Sequence, residues 1–142
     1  KEKDMSEAII PTREELADFI YYRHKDAYGV KGRFYDFDQM SYEELEKEAI
    51  RIDEAAKAQY AYERKLQADA VRDFRANVRN VMDICNASRA TAIEYILEGS
   101  GHAGEYDASY CCYCLGLPYS MEKYLAGPLA SLNERTAAME AA

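Results

Sequence analysis

The 142 residues set 26 Asp and Glu against 18 Lys and Arg, a net charge of −8 with a pI near 4.8. That balance argues against general binding to nucleic acid or to an anionic membrane surface, and no apolar run approaches the ~18 residues of a membrane span. The length suits one domain, and thirteen Tyr beside a modest aliphatic content point to an ordered, Tyr-rich core.

The first residues are charged and then turn apolar at Ile9, Ile10 and Pro11. Residues 1–11 are expected to be flexible. Thr12 and Glu15 stand as S/T-x-x-E, a capping box that satisfies two N-terminal N–H groups reciprocally. A helix over 12–28 follows, with Leu16, Phe19, Ile20 and Ala27 on one face and Gly29 as its stop.

Residues 29–40, GVKGRFYDFDQM, form a loop too aromatic for a plain linker. Phe34, Tyr35 and Phe37 should fold it back onto the helix junction. Arg23, His24, Lys25, Lys31 and Arg33 concentrate positive charge here, interleaved with Tyr21, Tyr22, Tyr28 and Tyr35. A basic and aromatic patch can bind phosphates or stack bases. Set against that is internal pairing of the bases with Asp26, Asp36, Asp38 and the acidic helix start.

The chain is organised around 41–85, a stretch with neither Gly nor Pro. About 45 residues at ~1.5 Å each make a helix of roughly 65 Å. Ser41 and Glu44 form a second capping box, and Met40 with Leu45 a hydrophobic staple. The apolar stripe runs through Leu45, Ala49, Ile52, Ala56, Gln59, Leu66 and Ala70, then Val71, Phe74, Val78, Val81 and Cys85. Its phase slips by one residue near Ala70, so a kink is allowed there and a clean heptad coiled coil is excluded. Residues 41–63 carry seven acids and three bases, and 64–85 five bases and three acids. Arg64, Arg72, Arg75 and Arg79 fall on one face, either solvated and matched to the helix dipole, or pairing antiparallel with another copy or docking an acidic partner.

Beyond Cys85 the spacing predicts a cluster of short helices over 88–142. Ser88 or Thr91 opens one that holds Ile93, Ile96 and Leu97 and ends at Gly99. Asp107 caps another that carries Tyr110, Cys111, Cys114 and Leu115, with Gly116, Leu117 and Pro118 as its stop. Ser120 begins a third, halted by Gly127 and Pro128, before a last helix lined by Leu129, Leu132, Thr136 and Met139. The fold class is therefore all-α: a long central helix, an N-terminal helix and a C-terminal short-helix cluster.

His102 with Cys111, Cys112 and Cys114 offers thiolate and imidazole ligands for zinc. The spacing matches no zinc finger, Cys112 should point away from Cys111 and Cys114, and buried structural cysteines are the competing account. Crowded cysteines and no secretory leader read as reduced thiols in a cytoplasm. No nucleophilic motif, phosphate-cradling Gly loop or helix-turn-helix with a basic recognition helix is present. No enzyme and no cofactor is expected.

The stretches YRHKDAYGVKGRFYDFDQMSYEELEKE (22–48) and ATAIEYILEG…YCLGLPYS (90–120) resemble small uncharacterised accessory proteins of tailed bacteriophages. The resemblance implies a context, action in the bacterial host cytoplasm as an inhibitor or adaptor of a host protein, and no residue-level site. The leading expectation is thus a protein–protein interaction protein. The Ala-rich first half of the long helix leaves surface for a second copy, so a homodimer or higher oligomer is expected. The alternatives are nucleic-acid or nucleotide binding through Arg23, Lys25, Lys31, Arg33 and Tyr35, and a small metal-binding module.

Overall fold

The computed structural model describes residues 9–142; the flexibility expected of residues 1–8 lies outside them. Five α-helices account for the described chain: α1 (Arg13–Tyr28), α2 (Tyr42–Cys85), α3 (Arg89–Gly99), α4 (Ala108–Leu115) and α5 (Glu122–Ala141). Short 3₁₀ turns at Phe37–Gln39 and Tyr119–Met121 lead into α2 and α5. No strand occurs among the described residues.

Local chemistry sets the helix ends as the sequence expects. Thr12 Oγ1 accepts from the Glu15 amide while Glu15 accepts from the Thr12 amide. Ser41 and Glu44 repeat the exchange at the start of α2. Ser88 caps α3, and Asp107 caps α4. Gly29 and Gly116 close α1 and α4 in the left-handed region, at φ 84° and 69°. Leu117, just beyond Gly116, is buried and donates its amide to the Cys112 carbonyl, the 6→1 bond of a Schellman stop.

Where one domain is expected, the chain divides into two compact units, 1–64 and 65–142. The stripe of α2 explains the division. Leu45, Ala49 and Ile52 pack with Leu16 and Ile20 in the first core. Phe74 and Val78 pack with Ala90, Ile93, Leu97, Cys111 and Leu125 in the second. Residues 60–68 are exposed throughout, so Leu66, expected on the stripe, is half exposed. The phase slip near Ala70 thus falls where the helix changes partners, and α2 stays continuous through it.

Three further expectations are corrected. Phe19 is 41% exposed, and the buried face of α1 is Leu16, Ile20, His24 and Ala27. Cys85 is exposed at the end of α2, and Met139 is exposed on α5. Cys111 and Cys112 are both fully buried although successive helix positions point about 100° apart, so α4 is covered on both of those faces.

The largest correction is at Gly127–Pro128, which lie inside α5 instead of ending it. An interior proline costs ~3 kcal/mol because it removes a donor and crowds the preceding turn. Leu125, Leu129 and Leu132 are all buried, one pair spanning the proline at i, i+4. Their burial contributes roughly 1.5–3 kcal/mol each. Packing on both sides of the break therefore outweighs it.

Candidate functional site

The basic-aromatic segment of unit 1 folds back as expected. The Gly32 amide donates to the Tyr21 carbonyl at 3.0 Å, and Arg13 Nη2 donates to the Phe37 carbonyl at 2.9 Å. Gly32 is required by contact: a Cβ there would meet the Tyr35 ring at 2.9 Å. Phe34, Tyr35 and Phe37 stack in sequence, with centroids 4.3 and 5.1 Å apart. His24 is buried under this stack, and its Nδ1 lies 2.6 Å from the Val30 carbonyl. A carbonyl only accepts, so Nδ1 carries the proton.

Tyr35 and α2 share a polar network. The Tyr35 hydroxyl donates to Glu48, and Arg51 grips both Glu48 oxygens while reaching the Tyr28 hydroxyl at 3.3 Å. Burial, reinforced by Glu48, pushes the Tyr35 phenol up to about 12. The hydrogen bonds from Arg51 hold the Glu48 carboxyl below its usual range. Tyr35 is thus a structural tie between loop and helix.

The cations of the segment are dispersed. Arg23 Nε donates to Asp53 at 3.1 Å and its Nη1 to Asp26 at 3.1 Å. Lys31 Nζ sits 5.1 Å from the Tyr22 ring centroid and 5.9 Å from that of Tyr21. Lys25 and Arg33 form no ion pair among the described residues, but they line different depressions. Lys25 borders a groove of about 600 Å³ together with Arg23, Asp26, Lys57, Tyr60 and Glu63, whereas Arg33 borders one of about 510 Å³ with Tyr21, Tyr22 and Phe37. Arg23, Lys31 and Arg33 therefore do not converge on one site.

The same holds for the arginines of α2. Arg64, in unit 1, stands 5.7 Å from the Tyr60 ring. Arg72 pairs with Asp69 and Asp73. Only Arg75 and Arg79 share a depression, and it is completed by Arg89 and Tyr124, which sequence reasoning missed.

Cys111 and Cys112 are packed into the second core, and Cys114 is half-buried. Cys111 Sγ donates to the Glu105 carbonyl at 2.7 Å, and burial pushes its thiol up to about 11. Burial raises Cys112 as well. Among the described residues no group of three His, Cys, Asp or Glu side chains is placed to hold a metal, so His102, Cys111 and Cys114 are not brought together as ligands.

Sequence reasoning also missed an apolar groove of about 510 Å³ in unit 1. Leu16 and Ala49 lie at its floor, and Ile9, Phe19 and Ile50 stand around it. Ile9 is 89% exposed and Ile50 60%. Glu15 and Asp53 edge the groove, and Asp18 and Asp26 lie with Phe19 in an adjoining depression. No helix of the described residues is long and apolar enough to cross a membrane. No protein-family model matches the chain, and no curated protein or solved structure matches it either.

Proposed function

We propose that the protein acts by binding another protein, with the apolar groove of unit 1 as the docking face. The observation that carries this reading is the exposure of Ile9, Phe19 and Ile50 around one groove on an acidic chain. Large apolar side chains gathered at a surface and rimmed by polar groups mark contact sites. Glu15 and Asp53 edge the groove, and Asp53 is paired with Arg23 and Lys57. The matching occupant is an amphipathic segment laid with its apolar face into the groove. The phage-like stretches at 22–48 and 90–120 support a context for it, an inhibitor or adaptor of a bacterial host protein that works by occupancy and not by catalysis. A second copy of the chain is the competing occupant, and its signature is a mass above 16.2 kDa in light scattering.

The test uses the full chain as bait in bacterial lysate, beside Ile50→Glu and, as a control, Ile84→Glu at an exposed position of unit 2. A partner retained by the wild type and Ile84→Glu but lost by Ile50→Glu is the expected result. Equal retention by all three removes the groove from the account.

A further inference from the structure

Unit 2 carries a second site with a different chemistry. Arg75 and Arg79 stand one turn apart on α2, Arg89 is the first residue of α3, and Tyr124 lies on α5. The four border a depression of about 290 Å³ over Val78 and Met82, with Asp83 as its one carboxylate. The Arg75 and Arg89 guanidinium carbons lie 5.0 and 4.8 Å from the Tyr124 ring centroid. Phe74 holds that ring edge-on at 6.2 Å. None of the three arginines forms an ion pair or donates a side-chain hydrogen bond among the described residues, whereas Arg23, Arg51 and Arg72 all do.

A guanidinium lying over an aromatic ring commits its flat face and leaves its in-plane N–H groups free. Two such forks fixed on one ring, with a third beside them, are preorganised donors for an oxyanion. Three positive charges against Asp83 leave a surplus of two. A phosphate monoester carries ≈ −1.5 to −2 at neutral pH and matches that surplus, whereas a carboxylate matches half of it. The volume lies just below the ~300 Å³ at which small-molecule sites start, which suits a small ligand. Val78 and Met82 supply apolar contact for the carbon portion of an ester.

We infer that the Arg75–Arg79–Arg89–Tyr124 depression is a binding site for the phosphate group of a small phosphate monoester. The basic loop lacks this arrangement, because Arg23 is already paired and Arg33 lines a separate depression without a second arginine.

Calorimetric titration of the full chain at low ionic strength tests the site with phenyl phosphate, inorganic phosphate and benzoate. Phenyl phosphate should bind more tightly than inorganic phosphate, through the apolar floor, and more tightly than benzoate, through charge. Loss of one charge-assisted donor in Arg79→Gln or Arg89→Gln should weaken phenyl phosphate roughly tenfold. Both side chains are exposed, so helicity should be unchanged. Tyr124→Phe keeps the ring and should bind like wild type, while Tyr124→Leu frees the two guanidiniums and should bind more weakly. Equal affinity for benzoate and phenyl phosphate, or no loss in Arg79→Gln and Arg89→Gln, would overturn the inference. Tighter binding of a single-stranded oligonucleotide than of phenyl phosphate, lost in the same variants, would replace it with a nucleic-acid site.

Discussion

Pro128→Ala should stabilise the protein, although a Gly-Pro pair reads as a helix stop. In the structure Gly127 and Pro128 both lie inside α5, and the φ of Gly127 is not positive. Interior helical proline is worse than alanine by roughly 3 kcal/mol, because it removes a donor and crowds the preceding turn, and the freedom that alanine restores to the unfolded chain offsets about 0.4–1 kcal/mol of that. For a unit in the roughly 60–100-residue class, each kcal/mol moves the melting temperature by about 4–8 °C. Thermal unfolding followed by circular dichroism should therefore rise by about 8–20 °C. A helix that ended here would leave Pro128 in a turn that suits its fixed φ, where alanine costs about 0.4–1 kcal/mol through the unfolded chain and the melting temperature would fall. A fall would refute the continuous α5, and with it the placement of Tyr124 one turn earlier.

Other outcomes follow from the same contacts. Tyr35 is raised from 10.0 to about 12 in the folded protein, so its contribution is fully present below pH 10 and is lost as pH climbs from there through about 12; alkaline melts of Tyr35→Phe should fall less steeply over that range. Arg23→Glu places a carboxylate beside Asp26 and Asp53 and should lower stability by about 1 kcal/mol in urea melts, while Arg33→Glu should change it little. A thiol reagent should modify Cys85 in the native protein at once and reach Cys111 and Cys112 only on unfolding. Cys111→Ser, which buries a more polar group, should cost about 1–3 kcal/mol.

The sequence is most legible where the chemistry is local. Thr12 with Glu15, Ser41 with Glu44, and Gly116 with Leu117 each declare a helix end within a few residues, and each forms as written. The long helix was legible for the same reason, since 41–85 contains nothing that breaks it. Gly127–Pro128 misled because its local penalty is real but is outweighed by three buried leucines, whose partners lie elsewhere in the chain. The fate of Arg23 was half visible: Asp26 is one turn away, but Asp53 is thirty residues on. The Arg75–Arg89–Tyr124 cluster spans three helices and follows no motif. Its one local hint is that Arg75 has no acid three or four residues to either side. The groove was hidden by periodicity itself, which assigned Phe19 to the core and gave no role to Ile50.

The central claim, that a partner protein occupies the groove of unit 1, is tested most directly by hydrogen exchange on the chain alone and with its captured partner. Occupancy of the groove predicts slowed exchange in residues 13–20 of α1 and 46–54 of α2, where Phe19 and Ile50 lie. Protection confined to residues 65–142, with both segments unchanged, would contradict it.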